Sequence, residues 1–491
     1  MRVRFAPSPT GYLHIGGLRT ALYNYLLAKK HNGSFILRIE DTDQSRFVED
    51  AEADILASLA WAGLQYDEGP VKGGPNGPYK QSERSDRYRE IADVLVQSGN
   101  AYIAFDSTEE IDALKAKHTS PTNPNPRYDY STRLEMNNSL TIGAQEVSER
   151  IQRGDEFVIR LKVEPGQSVV FNDSVRGEVT FESDAVDDQV LMKSDGLPTY
   201  HLANIVDDHD MEITHVIRGE EWLSSTPKHI LLYKAMGWEA PQMAHLPLIM
   251  SPSGGKLSKR NADTLGIPVS VSQYVEAGYE PEALLNYLAL LGWNPGDDRE
   301  IMTLPELCEA FALEKVGSAG VQFDLQKLLW FNEHYLRAKA PSEIASAELE
   351  AVCSQFGPVT QEFLAESIAL MLDRMSFSKD LIDFSYLFTA PTEFDEASVA
   401  KRWKSDSGAV LQSFCDDLAA LSDWKAPSLE ASLKAKLEKE GWGMGALMFP
   451  LRMALSGLPS GPDLYRLMEL LGKEEVVSRL NHAVATIKTD Q

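Results

Sequence analysis

The opening sixty residues restrict the fold more than any other stretch of this chain. Residues 3–6 read as a short buried strand, and the loop Pro7–Gly11 is rich in Pro, Ser, Thr and Gly. A helix starts near Ile15–Gly17 and carries Leu18, Ala21, Leu22, Tyr25 and Leu26 on one face. Phe35–Glu40 alternates as a strand does and ends in the acidic cluster Glu40, Asp41 and Asp43. A second helix follows, with Val48, Ala51, Ile55 and Leu59 at helical spacing. Two strands joined by a helix pair in parallel, because a parallel connection needs a long crossover where an antiparallel one needs only a turn. The chain therefore opens as an α/β fold with a parallel sheet.

From about Ser85 the pattern changes. A helix with Ile91, Val94 and Leu95 stops at Gly99-Asn100, and Ser107 with Glu110 forms a capping box for the next. A Pro-rich loop, 121–126, precedes short strands at Phe157–Val163, Ser168–Phe171 and Glu178–Phe181, an α+β insertion. The α/β pattern resumes at Thr199–Val206 and Thr214–Ile217, with a helix after Thr226-Pro227. Beyond about residue 280 the pattern is almost wholly helical: Pro281 opens one helix, Thr303-Leu304-Pro305-Glu306 caps another and Asp324 a third. At 491 residues the chain exceeds the size at which a single core stops growing, about 250–300 residues, so several domains are expected.

No apolar run approaches the roughly 20 residues a membrane-spanning helix needs. The N-terminus runs straight into a strand without a signal-like segment, and three scattered cysteines make no disulfide framework, so a cytoplasmic setting is expected. The net charge of −26 argues against nucleic acid as a partner. Yet no acidic residue precedes Glu40, whereas Arg2, Arg4, Arg19, Lys29, Lys30 and Arg38 do, which offers a local basic face.

Two short segments carry chemistry. In Pro7-Ser8-Pro9-Thr10-Gly11-Tyr12-Leu13-His14-Ile15-Gly16-Gly17, a strand end meets a helix start, where free N–H groups and the helix dipole attract anions. Gly16 and Gly17 admit a nucleotide close to the backbone, and His14 can donate to a phosphate. In Lys256-Leu257-Ser258-Lys259-Arg260, behind the turn Ser251-Pro252-Ser253-Gly254-Gly255, clustered cations can stabilise a departing pyrophosphate. Either segment alone reads as an ordinary loop. Together they are similar to the HIGH-type and KMSKS-type motifs of class I aminoacyl-tRNA synthetases, although HIGG lacks the last histidine and KLSKR differs at its second and fifth positions.

The chain resembles glutamyl-tRNA synthetases along almost its whole length. The resemblance rests on Arg4–Gly11, Arg38-Ile39-Glu40-Asp41-Thr42-Asp43, Gly77–Arg84, Leu197–Asn204, Val216–Glu221, Pro281–Tyr287 and Pro450–Gly457. It implies a Rossmann-like catalytic domain in two halves, 1–85 and 196–245, split by an acceptor-end-binding insertion at 86–195. A stem-contact region with the KLSKR loop at 246–322 and an all-α anticodon-binding region at 323–491 complete the expected plan.

Implied partners are ATP with Mg²⁺, L-glutamate and tRNA-Glu, engaged by a monomer, with tRNA binding required before adenylate forms efficiently; charging of tRNA-Gln stays open. Implied catalytic residues are His14, Lys256 and Lys259. ATP is expected on His14, Gly16, Gly17, Glu221, Trp222, Leu248, Ile249, Lys256, Leu257, Ser258 and Lys259. Glutamate is expected on Arg4, Ala6, Ser8, Glu40, Tyr200, Asn204 and Arg218. Arg4 and Arg218 would each offer a planar fork to a carboxylate, Tyr200 a hydroxyl, and Glu40 a partner for the ammonium. Arg46 would contact the acceptor end and Arg374 the anticodon.

Some relatives hold structural zinc with a Cys-x-Cys where this chain has Ala104-Phe105-Asp106 and a second ligand pair where it has Tyr128-Asp129-Tyr130. No cysteine stands there, so no zinc is expected. His209 reads as a loop histidine, and the stretch Arg260–Pro268 as a surface insertion. A small-molecule nucleotidyltransferase with the same motifs would have no use for the helical tail. A catalytically dead RNA-binding protein would not need His14, Lys256, Lys259 and Arg218.

Overall fold

The computed structural model describes residues 1–488, the side chains of Gln44, Lys259 and Asp263 excepted. The chain forms two compact units, Met1–Leu328 and a second from Leu329 onward.

The first unit contains nine strands that matter for the site: β1 (Arg2–Phe5), β2 (Ser34–Leu37), β3 (Ala101–Ala104), β4 (Val158–Leu161), β5 (Ser168–Asp173), β6 (Gly177–Glu182), β7 (Val190–Met192), β8 (His215–Gly219) and β9 (Gln242–Leu246). Its helices begin with α1 (Ile15–Lys30), α2 (Ala51–Trp61), α3 (Ser85–Gln97), α4 (Thr108–His118), α5 (Ala144–Arg153), α6 (Tyr200–Asp210), α7 (Thr226–Met236) and α8 (Lys259–Thr264). The main sheet has the order β2-β1-β8-β9-β5-β6 and is parallel except for the β5–β6 hairpin. Val3, Phe5, Phe35, Ile36, Leu37, Val216 and Ile217 are all buried, the unbroken burial of strands covered on both faces. The chain leaves β1 through α1 to β2 on one side and later adds β8 and β9 on the other. The order thus reverses between β1 and β8, and a crevice opens at the carboxyl ends of those two strands.

A second, antiparallel sheet, β3-β4-β7, belongs to the insertion. The β5–β6 hairpin, expected within that insertion, instead extends the main sheet, with Asp173 beside Met243 of β9. A short strand's own alternation does not say which sheet it joins, and the pairing partner lies some 70 residues away. Thr199–Val206 turns into α6, so His209 sits on a helix rather than a loop, its ring stacked 3.8 Å from that of Trp238. The capping boxes at Ser107 and Thr303 form as their spacing predicts.

The expected basic face does not form. Arg2 pairs with Glu68, Arg4 with Asp208 and Lys29 with Asp67, while Arg38 is enclosed by Glu40, Asp207 and Asp208. Arg19 donates to the carbonyls of Pro247 and Leu291, and Lys30 to that of Phe311. Carboxylates and carbonyls supplied from elsewhere in the chain absorb the local excess of cations. Buried, unpaired cations would cost several kcal/mol each, on the order of the desolvation penalty of a single ion.

In the insertion one residue from Ala104-Phe105-Asp106 bonds to one from Tyr128-Asp129-Tyr130. Tyr128 Oη donates to Asp106 Oδ2 at 2.8 Å, and Asp106 Oδ1 accepts the Asn137 N–H at 2.6 Å. Asn138 Nδ2 donates to Tyr128 Oη at 3.0 Å, and the Arg160 guanidinium lies 3.9 Å over the Tyr128 ring. Burial raises the Asp106 carboxyl above its ordinary value, against the Tyr128 hydrogen bond that lowers it. Tyr128→Phe strips this clasp of its central hydroxyl and is expected to destabilise the chain by about 1–3 kcal/mol, read as a lower denaturant midpoint at unchanged slope.

The second unit is all helical. Helices Pro341–Phe356, Gln361–Met371, Ser407–Ala420, Ala426–Glu440, Met444–Ser456 and Lys473–Thr486 enclose a core that includes Ile368, Phe414, Leu433, Leu451 and Leu480. Among the described residues, no helix is long and apolar enough to cross a membrane.

Candidate active site

A cleft of about 640 Å³ lies at the crevice between β1 and β8, within the size range of small-molecule sites. Its walls bring together Arg4, Ala6, Ser8, His14, Gly16, Gly17, Glu40, Tyr200, Asn204, Arg218, Glu221, Trp222, Leu248, Ile249, Lys256 and Leu257, with Arg46 at its edge. Ser258 is exposed and does not line it; the Lys259 side chain lies outside the described residues. Arg374 belongs to the second unit, exposed in the 3₁₀ turn Leu372–Arg374 rather than on a long helix, and within electrostatic reach of Arg452.

One end of this cleft is built by α1. His14 is its N-cap, and its Nδ1 accepts the Gly16 N–H at 3.0 Å. A neutral ring that accepts on Nδ1 carries its proton on Nε2, which makes Nε2 the donor. Asp54 of α2 holds the preceding turn by accepting the Leu13 N–H at 2.6 Å. A Cβ on Gly17 would come within 2.9 Å of Leu13, whereas one on Gly16 would meet nothing closer than the His14 ring at 3.4 Å. Packing thus accounts for Gly17, and the bare backbone at Gly16 leaves room for a ligand.

Lys256 enters from the opposite wall. Met250 and Lys256 bridge across the turn Ser251–Gly255, where Gly254 and Gly255 have φ of +94° and +74°, values that glycine adopts without strain. Lys256 Nζ lies 3.2 Å from Glu221 Oε1, and Leu257 is buried with its N–H on the Ile249 carbonyl. The stretch Arg260–Pro268 is not a mere surface insertion. It forms α8 and leads to Val269-Ser270-Val271, whose backbone bonds to both sides of His14: Ile15 N–H to Val269 O, and Val271 N–H to Leu13 O, each 2.9 Å. The two signature segments are thereby strapped together.

At the other end stand three buried arginines in different states. Arg38 is enclosed by carboxylates. Arg4 gives Nε and Nη2 to Asp208 at 3.0 and 3.4 Å, so that fork is occupied, while Nη1 and the second Nη2 hydrogen keep the end-on pair of donors that the expected bidentate role needs. Arg218 has no carboxylate partner among the described residues. Its N–H groups go to His245, Tyr200, His229, Thr226 and the Trp222 carbonyl, so its fork too is taken, but by neutral acceptors that leave its charge in place. Tyr200 Oη accepts from Arg218 at 2.9 Å and keeps its own proton to donate. Burial raises the phenol above its ordinary value, so it remains a donor. Glu40 Oε1 accepts from Arg38 and Asn204, which fixes a carboxylate in the cleft lining.

Sequence reasoning missed Asp173, His201, Asp208, His229 and His245. His201 falls within Leu197–Asn204 and the other four lie outside the recognisable motifs, and only a place behind the cleft distinguishes each from an ordinary buried polar residue.

A switch-point crevice, an N-capping histidine and a lysine-bearing turn are together the arrangement of a class I catalytic domain. Residues 1–330 match the family model for the class I tRNA synthetase catalytic domain (E and Q), and residues 342–484 that for an anticodon binding domain. The chain is 48% identical over 505 residues to a glutamate–tRNA ligase of Cytophaga hutchinsonii, covering 99% of this chain and 98% of that one. It is 47% identical to one of Bacteroides fragilis, covering 99% of both. A crystal structure of a glutamate tRNA ligase from Elizabethkingia meningosepticum in complex with its amino acid superposes with a TM-score of 0.95 at 43% identity, over 99% of this chain and 100% of that one. The chain belongs to the glutamate–tRNA ligase family.

Proposed function

We propose that the chain activates L-glutamate with ATP, as its Mg²⁺ complex, and transfers it to the terminal adenosine of tRNA-Glu. The observation that carries this reading is one cleft with a phosphate-binding helix start at one end and, at the other, a buried guanidinium that no carboxylate neutralises. The triphosphate lies over the α1 N-terminus, where His14 Nε2 donates to it and Lys256 leaves Glu221 to meet the pyrophosphate. The Lys259 side chain is assigned the same task. The adenine rests among Trp222, Leu248, Ile249 and Leu257. The side-chain carboxylate of glutamate takes the Tyr200 hydroxyl and the Arg4 Nη1 donor under the field of Arg218. Its ammonium faces Glu40, beside Ala6, Ser8 and Asn204.

The α-carboxylate then attacks the α-phosphorus, pyrophosphate departs, and a ribose hydroxyl of the tRNA takes the glutamyl group from the adenylate. Alignment and charge stabilisation supply the catalysis, so no covalent enzyme intermediate is needed. Arg46, exposed beside Asp43 at the cleft edge, is assigned to the acceptor end, and Arg374, also exposed, to the anticodon.

ATP–pyrophosphate exchange is expected with glutamate, strengthened by tRNA-Glu and absent with glutamine; charging of purified tRNA-Glu and tRNA-Gln reads the RNA choice. No exchange with glutamate under any of these conditions refutes the reading. We also assign the insertion a metal-free architecture, since the Tyr128–Asp106 bond occupies the positions that zinc ligands would take. Exhaustive chelation, followed by return of Mg²⁺, is expected to leave activity and melting temperature unchanged. Recovery that requires zinc would refute this.

A further inference from the structure

Strands β8, β9 and β5 are neighbours, and their register sets Arg218 directly beside His245, with Asp173 at the end of β5. His245 Nε2 accepts the Arg218 Nε–H at 3.0 Å, and His245 Nδ1 lies 2.6 Å from Asp173 Oδ2. A guanidinium only donates and a carboxylate only accepts, so both neighbours demand the same neutral tautomer, protonated on Nδ1. On the far side Arg218 Nη1 reaches His229 Nδ1 at 3.3 Å, and His229 Nε2 meets His201 Nδ1 at 3.3 Å. The same logic puts the His229 proton on Nε2. Thr226 Oγ1 accepts from Arg218 Nη2 at 2.9 Å. Burial lowers His245 below its ordinary value, drives His229 well below it, and pushes His201 down to about 4, all in keeping with neutral rings. Asp173, His245, His229 and Thr226 are buried, and none lines the cleft.

Arg4, in the same wall, and Arg38, fully buried and off the cleft lining, lean on carboxylates. Arg218 alone of these three is held by neutral acceptors. We infer that His245, oriented by Asp173, together with His229 and Thr226, are positioning residues that set specificity for an acidic amino acid: they fix the Arg218 guanidinium without cancelling its charge. This rests on the glutamate reading above. The sheet pays for an un-neutralised cation with a full set of hydrogen bonds, and the missing counter-charge arrives with the substrate.

A carboxylate built into the cradle tests this, because it would hold Arg218 at least as firmly while neutralising it. Thr226 opens α7, where an aspartate suits the helix dipole. Thr226→Asp is expected to raise the glutamate KM about thirtyfold or more and to narrow the glutamate-over-glutamine preference about tenfold, with the ATP KM within about twofold. The near-isosteric Thr226→Val should raise the glutamate KM by less than about tenfold. His245→Gln, whose amide oxygen can still accept from Nε, should stay within about threefold of the parent, while His245→Leu exceeds about tenfold. Thr226→Asp with parental glutamate KM and preference overturns the inference. So do equal losses toward ATP and glutamate, or His245→Gln and His245→Leu that behave alike. The His245 pair decides the matter if Thr226→Asp does not fold. A parent enzyme that fails to exchange with glutamate at all overturns the functional reading instead.

Discussion

Arg218→Ala is expected to abolish glutamate activation while ATP still binds. The guanidinium is buried in the cleft wall, and its removal takes away both the positive field at the carboxylate subsite and the anchor of the Tyr200 hydroxyl. Truncating one member of a buried, hydrogen-bonded charge pair costs about 2–5 kcal/mol, so kcat/KM for glutamate should fall by roughly 10²–10⁴. The end built from α1 and the Lys256 turn shares no hydrogen bond with Arg218, and the link from Nη2 to the Trp222 carbonyl is long at 3.4 Å, so ATP affinity should change little. Arg218→Lys should recover only a small part of the loss, because one ammonium cannot serve His245, Tyr200 and Thr226 at once. Exchange kinetics over a range of glutamate concentrations, beside ATP binding by calorimetry, check the result. Parental glutamate kinetics in Arg218→Ala would remove Arg218 from the pocket.

His14→Asn should separate two tasks that one ring performs. As an N-cap, asparagine accepts from the helix N-terminus about as well as any residue, so the melting temperature should stay close to that of the parent. Its shorter amide lacks the Nε2–H that reaches toward the phosphates, and loss of one such pre-placed donor typically costs about 10²–10³ in kcat. His14→Ala should lose both, with a further ~1 kcal/mol of stability from the missing cap. Equal activity of His14→Asn and the parent would reduce His14 to a capping residue.

The catalytic half of the fold was legible because it is local. Val3–Phe5, α1 and Phe35–Leu37 each carry their periodicity within a few residues, and a crossover helix between two strands admits one pairing sense. The capping boxes are legible for the same reason, since Ser107 and Glu110 are three residues apart. The residues that line the cleft were legible through a resemblance in linear motifs. Tyr200, Arg218 and Lys256 on their own would have passed for ordinary polar residues.

What escaped was every pairing that depends on distant partners. The six N-terminal cations suggested an RNA-facing surface, and Glu68, Asp67 and Asp208 removed it by meeting them inside the fold. The β5–β6 hairpin looked like part of the insertion, yet by joining β9 it delivers Asp173 to His245 and so to the back of the pocket.

The sequence by itself determined the order of elements, the parallel start of the sheet and the residue types available to an ATP-dependent ligation of glutamate, because propensity, capping and hydrophobic period act over a single turn or strand. Only the tertiary structure decided which of its arginines keeps an open charge. Whether a buried guanidinium meets a carboxylate, as Arg4 does on helix α6, or a neutral histidine, as Arg218 does on strand β9, is settled by which element packs beside it, and Coulomb energies at about 3 Å are set by neighbours in space rather than in sequence.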